Sequence, residues 1–355
     1  VRASEASAGT IIEQRNHLTI CPALDRRTTG GKTMRNIFKT AAVALGMLGC
    51  MTMVASADGL KAAKDVKIAV VVHGAASDAY WSVVKRGVDD AASLTGASVQ
   101  YIAPQVFDSV EQSRLIAAAV ATKPDGIVVS IPDIDALKTS IQSAISAGIP
   151  VINIDSGEKQ GESIGVPLYV GTTSEYQAGI RAGERLAKDR IMKVACINHE
   201  VGNVSLDERC QGINDGLAKS GGASEVVAVT QDPADVTRRV QAYLASHTDV
   251  QAVFATGTAS ANPLIKHFKE NELFGKLKLY TYDLGPEILE SVANGEMGFG
   301  IDGQQYLMGY LPVIALVENA THGFWIQNNI YTGPLFIDTP EKAKGVLALS
   351  KQGIR

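Results

Sequence analysis

From residue 65 onward, short apolar runs rich in Val and Ile alternate with amphipathic stretches. Residues 66–72 are nearly continuous Val, Ile and Ala. Such a run is too short for a helix and predicts a strand buried on both faces. Residues 80–94 carry apolar positions at helical spacing and stop at Thr95-Gly96, Gly being the residue that ends helices in the left-handed region. Further strands are predicted at 98–102, 126–130 and 149–154, with helices at 110–122 and 136–147 between them. The pattern then restarts: strands at 192–197, 226–229, 252–255 and 277–282, helices at 207–220, 237–246 and 261–271. Strands separated by helices of 10–15 residues predict βαβ units, parallel sheets and right-handed crossovers. The restart is a duplication at the scale of a domain, not a short tandem repeat. The expected architecture is α/β, with two doubly wound parallel-sheet lobes.

In such sheets ligands bind outside the carboxyl ends of the strands. Four strand-end segments carry polar groups, several beside an aromatic: 73–81, 153–156, 198–203 and 282–283. Carboxylates accept hydroxyls through charge-assisted bonds, and aromatic rings take apolar C–H faces out of water, so the mixture suits a hydroxylated ligand. The same residue types also cap helices. Capping is favoured over ligand contact for Asp78. Ligand contact is favoured for Asp155 and Asp283, since neither is followed promptly by a strong helix start. Trp81 fits a pocket and a helix-facing core equally.

Composition narrows the class. The chain has 355 residues, enough for two domains. It is 46% hydrophobic, 20% charged and 6% aromatic, and its net charge of −4 gives no electrostatic reason to expect nucleic acid. Residues 34–57 combine a basic start at Met34-Arg35, an apolar stretch and the small-x-small ending Ala55-Ser56-Ala57, the form of a cleaved secretory signal peptide. About 15 apolar residues are too few to span a bilayer comfortably. A lipoprotein site at Leu48-Gly49-Cys50 is disfavoured because the apolar run continues past it. Residues 1–33 are then an over-extended gene start, and the mature chain begins at Asp58. Cys21 and Cys50 precede that point. Cys196 and Cys210 follow it, either as a disulfide, which export permits, or as two small buried side chains.

Motifs for catalysis, metal or cofactors are missing. Gly30-Gly31-Lys32-Thr33 has Arg26 where a P-loop needs Gly. No G-x-G-x-x-G follows the first strand, and no G-x-S-x-G, C-x-x-C or H-E-x-x-H occurs. His73, His199, His247, His267 and His322 read as surface or loop histidines. The expectation is a protein that is not an enzyme and has no cofactor or metal.

Several segments resemble the periplasmic sugar-binding proteins related to ribose-binding protein. They are Lys123-Pro124-Asp125-Gly126-Ile127-Val128-Val129, residues 147–155 (AGIPVINID), Tyr169-Val170-Gly171-Thr172 before a Gly-containing helix, and residues 301–310 (IDGQQYLMGY). The resemblance spans nearly all of 58–355. It implies the type I periplasmic binding protein fold, with two lobes joined by three hinge crossovers near Gly171, Gly303 and Tyr331. The N-terminal lobe would be 58–171 plus 304–330, and the C-terminal lobe 172–303 plus 331–355. It further implies a monomer of the periplasm that captures a small sugar for an ABC transporter permease, with a chemoreceptor as a compatible second partner. By position it assigns ligand contacts to His73, Asp78, Tyr80, Trp81, Asp155, Ser156, Thr172, Asn203, Asp207, Arg209, Thr258, Tyr282, Asp283, Asp302 and Gln304. Departures from the ribose pattern are Asp155-Ser156 for Asp-Arg, Asp207 for an Arg, Gly257-Thr258 for Asn-Asp and Gly303 for Gln. Fewer guanidinium donors and more carboxylates suit a polyol or an amino sugar. The two pocket glycines suggest room for a ligand larger than a pentose. Regulators of the LacI type share the fold, but an apolar leader stands where their helix-turn-helix would be. An exported α/β enzyme acting on sugars is the remaining alternative.

Overall fold

The computed structural model describes residues 59–74 and 78–355. The readings for 1–33, for the signal peptide at 34–57 with Cys50, and for residues 75–77 of the first strand-end loop fall outside it.

Two six-stranded sheets carry the fold. The first holds β1 (Lys67–Val71), β2 (Ser98–Ile102), β3 (Gly126–Ser130), β4 (Val151–Ile154), β5 (Tyr169–Thr172) and β11 (Ile330–Gly333), in the order β11-β5-β4-β3-β1-β2. The second holds β6 (Lys193–Asn198), β7 (Ala223–Ala228), β8 (Ala252–Ala255), β9 (Lys278–Tyr282), β10 (Gly300–Asp302) and β12 (Leu335–Ile337), in the order β12-β10-β9-β8-β6-β7. All pairings are parallel except β10 with β12. The helices are α1 (Ala79–Thr95), α2 (Ser109–Ala121), α3 (Ile134–Ser146), α4 (Glu158–Ser163), α5 (Glu175–Lys188), α6 (Val204–Ala218), α7 (Pro233–Ser246), α8 (Thr258–Glu270), α9 (Pro286–Ala293), α10 (Gln305–His322) and α11 (Pro340–Lys351). The chain is α/β with two doubly wound lobes.

Burial on both faces explains the unbroken apolar strands. Ile68 and Val70 of β1 pack with Val84 and Val88 of α1 and Leu316 of α10. Ala69 and Val71 turn the other way, onto Ile116 of α2 and Leu137 and Ile141 of α3. In the second lobe, Cys196 and Phe254 meet Ala178 of α5 and Ile213 of α6, while Ile197 and Val253 meet Val240 of α7 and Leu264 of α8. Cys196 and Cys210 form a disulfide that closes a separation of 14 residues between β6 and α6.

The chain passes between sheets three times: after β5, at Gly303-Gln304, and at Gly333-Pro334. The third crossing differs from expectation. Tyr331 lies within β11, paired with Gly171 of the first sheet, and the chain leaves that sheet three residues later. Helix α6 also starts earlier than predicted, at Val204, because Asn203 caps it by accepting a hydrogen bond from Ser205 N.

Candidate functional site

The two lobes face each other through the carboxyl ends of their sheets. Between them lies a small cavity, lined by His73, Asp78, Tyr80, Trp81 and Asp155 from the first lobe. The second lobe contributes His199, Glu200, Asn203, Leu206, Arg209, Gln231, Thr256, Gly257, Thr258 and Asp283.

The lining follows from the duplication. The order β2-β1-β3-β4-β5 in one sheet matches β7-β6-β8-β9-β10 in the other. Asp155 after β4 and Asp283 after β9 therefore occupy equivalent strand ends. Both adopt the left-handed region, with φ of 62° and 66°, which Asp tolerates better than most residues. Helices α4 and α9 do begin three residues beyond them, contrary to the reading of no prompt helix start. Their N-caps, however, are Gly157 and Gly285, without side-chain capping, so both carboxylates stay free for other partners. His73 after β1 and His199 after β6 form a second equivalent pair.

Asp155 accepts from the Tyr80 hydroxyl and, at 2.7 Å, from Ser156 Oγ. Glu200 accepts from Asn203 Nδ2 and from Gln231 Nε2, each at 2.7 Å. Burial alone would raise the Glu200 carboxyl, but the imidazoles of His73 and His199 and the Asn203 amide reverse this and hold it at about 2. Across the cleft, His73 Nε2 is 3.2 Å from Asn203 Nδ2 and 3.5 Å from Glu200 Oε2. Burial shifts His199 below its ordinary value, against the charge of Glu200. Asp78 accepts from Tyr80 N at 2.8 Å and caps α1, as favoured, and it also reaches the cavity wall. Its carboxyl is raised by burial to about 6, with Glu200 adding to the effect.

Arg209 is fully engaged. Its Nε and Nη2 donate to Glu175 at 2.8 and 3.1 Å, and Nη1 donates to Thr256 O at 2.8 Å. The guanidinium stacks over the Tyr282 ring at 4.5 Å. Among the described residues, the one ion pair of Asp283, which is 6% exposed, is with Arg209 Nη1 at 3.6 Å. Burial first, then the charges of Asp155, Glu175 and Asp78, push its carboxyl well above the ordinary value, against Arg209.

Nine of the fifteen assigned residues meet at the cavity: His73, Asp78, Tyr80, Trp81, Asp155, Asn203, Arg209, Thr258 and Asp283. Six do not line it. Ser156 supports Asp155 from behind, and Tyr282 lies under Arg209. Thr172 donates to Glu175 beside the first crossing. Asp207 is exposed inside the first turn of α6, where it accepts from Asn198. Asp302 is buried at the second crossing and paired with Arg355, while Gln304 bonds Thr332 O.

Three other expectations are sharpened or corrected. His73 sits on the loop after β1, as a surface or loop histidine would, but it is buried: it is 2% exposed, packed edge-on to Trp81. His199 is largely enclosed, and its Nδ1 lies 3.2 Å from both Thr256 Oγ1 and Ser260 Oγ. The glycines do not make room for a larger ligand. A Cβ at Gly257 would lie 3.0 Å from Asp283 Oδ2, and one at Gly303 would lie 3.2 Å from Met308 and Thr172. The space belongs to neighbouring side chains. Trp81 fits both of its readings, since it packs in the first-lobe core and lines the cavity. His199 and Glu200 stood in a singled-out segment but were not assigned, although their place mirrors His73. Gln231 and Thr256 carried no local signal.

A family model described as periplasmic binding protein domain matches residues 68–323. The chain belongs to this family. Among curated proteins, this periplasmic binding protein is 26% identical over 286 residues to the xylose/arabinose-binding protein of Sulfolobus acidocaldarius, covering 77% of this chain and 69% of that one. It also matches the crystal structure of a carbohydrate transporter from Acidothermus cellulolyticus in complex with myo-inositol, with a TM-score of 0.76 and 29% identity, covering 82% of this chain and 100% of that one. A Burkholderia graminis solute-binding protein in complex with D-arabinose matches with a TM-score of 0.71 and 26% identity, over 79% and 97% of the two chains.

Proposed function

We propose that this periplasmic binding protein is the substrate-binding component of an ABC importer. It captures a small carbohydrate (a monosaccharide, polyol or amino sugar) between its lobes and delivers it to the membrane permease. The observation that carries the reading is the cavity where strand ends of both lobes converge, with carboxylates and aromatic rings on its wall. That wall offers acceptors for hydroxyls and flat surfaces for C–H faces. The relatives with printed ligands are carbohydrate binders. A periplasmic location fits the leader at 34–57 and the Cys196–Cys210 disulfide, which needs an oxidising compartment. The protein acts as a monomer that binds its ligand unchanged, and a chemoreceptor is a compatible reader of the closed form.

Mass spectrometry of ligand retained through purification, followed by calorimetric titration with that compound, tests the reading. The expected ligand is a small carbohydrate recovered intact. Asp155→Ala and Asp283→Ala should each weaken its binding by about 100-fold, as expected for losing an acceptor of charge-assisted bonds. Unchanged affinity in both variants would refute the pocket assignment, and turnover of the bound compound would make the protein an enzyme.

A further inference from the structure

The cavity wall carries four carboxylates: Asp78, Asp155, Glu200 and Asp283. Arg209 is the one Lys or Arg among the lining residues, and its Nε and Nη2 donate to Glu175, a further carboxylate just outside the wall. Beyond that pair, Arg209 Nη1 reaches Asp283 only at 3.6 Å, and His73 Nε2 stands 3.5 Å from Glu200 and 3.9 Å from Asp155, so carboxylates outnumber the basic groups beside them.

The four are not equally satisfied. Glu200 is held by Asn203 and Gln231, and Asp155 by Tyr80 and Ser156. Asp78 uses one oxygen, Oδ1, to cap α1. Asp283 is 6% exposed, yet among the described residues its side chain accepts no hydrogen bond. A buried carboxylate without a donor is costly, and native structures rarely keep one unless something else supplies the partner. Asp283 also sits beside Gly257, where any Cβ would crowd its Oδ2, so the local backbone is shaped around this carboxylate.

Resting on the reading of a small-carbohydrate receptor, we propose that the ligand carries a protonated amine on its hydroxylated ring, an aminocyclitol or amino sugar whose ammonium is seated on Asp283. An ammonium offers three donors and no acceptor, which suits a site where four carboxylates converge. It also adds positive charge where carboxylates outnumber basic groups. A neutral polyol would leave that excess unbalanced. The protein would then have to hold a proton on Asp283, towards which burial and the charges of Asp155, Glu175 and Asp78 push it against Arg209.

Isothermal titration with matched pairs tests this: D-glucose with D-glucosamine, and scyllo-inositol with 1-amino-1-deoxy-scyllo-inositol, together with the ligand retained through purification. The aminated member of at least one pair should bind about 10-fold or more tightly than its neutral partner. Asp283→Asn should bring the ratio of the two Kd values towards 1. Asp78→Asn, which keeps its capping oxygen, should reduce the ratio in the same direction and serves if the first variant does not fold. A neutral compound that binds as tightly as its aminated partner, or a retained ligand without an amine, would overturn the proposal and leave the carbohydrate reading standing. A retained ligand that is not a carbohydrate, with no binding by either pair, would bring down both.

Discussion

At the scale of single residues, the site is shaped by how each carboxylate is shared between structure and cavity. Asp78 shows the division plainly. One of its oxygens caps α1, yet the carboxyl is raised to about 6 from 3.8 by burial. The folded state therefore binds a proton that the unfolded chain releases near pH 4. Stability contributed at this position is greatest below about pH 4, falls as pH rises through 4 to 6, and is flat above. Asn caps as well as Asp and cannot ionise. Urea unfolding of Asp78→Asn from pH 4 to 7 should thus show a shallower decline than the parent. The gap should reach up to about 3 kcal/mol, and less where water screens the partly exposed group. Parallel curves would show that the burial of Asp78 is relieved in solution. Much of this residue-level picture was legible. The strand-end positions of Asp155 and Asp283 followed from periodicity, as did the capping role of Asp78. What was not legible was pairing across the chain. That Arg209 belongs to Glu175, 34 residues away, depends on two helices meeting, and no local spacing encodes it.

At the scale of elements, that meeting is arranged by glycine. Gly179 and Gly183 on α5 face Gly212 and Gly216 on α6, and a Cβ at any of the four would come within 2.2–2.5 Å of a facing carbonyl oxygen. Glycine inside a helix costs about 1 kcal/mol relative to alanine, so the sequence taken alone suggests a weak helix. The packing reverses that judgement, because backbone contact between α5 and α6 sets the distance at which Glu175 meets Arg209. Helices α1 and α10 repeat the device with Gly87 and Gly309. Gly212→Ala should overpack the interface, costing about 1–3 kcal/mol or more and lowering Tm by about 2–4 °C for each kcal/mol. It should also weaken ligand binding by displacing Arg209. A variant with unchanged Tm in a thermal melt would mean that the helices part freely and that the glycines are incidental.

At the scale of the whole molecule, the lobes touch through few groups. Val204 N donates to Pro132 O at 3.0 Å, and His73 meets Asn203 and Glu200 across the cleft. These contacts hold the described closed arrangement. Asn203→Ser keeps a cap for α6 but removes the amide that reaches His73 and Glu200. The closed form should become less populated, and apparent affinity should fall in proportion, by several-fold to about 10-fold. Small-angle scattering checks the cause: the radius of gyration of the free variant should rise, and saturating ligand should restore the parental value. An unchanged radius would place the loss in direct ligand contact. The two-lobed plan was legible because buried strands and amphipathic helices have different periods. The resemblance put the third crossing near Tyr331, and it falls at Gly333-Pro334 because β11 runs on through Tyr331.

The Cys196–Cys210 bond has a consequence for the life history of the chain. It closes a small loop between β6 and α6, and closures of that length stabilise by about 3 kcal/mol. On the proposed exported route, that increment is absent in the reducing compartment where the chain is made and arrives only after it has crossed. The same polypeptide is thus easier to keep unfolded at its place of synthesis than at its place of work. The redox difference between the two compartments acts as a ratchet on its maturation.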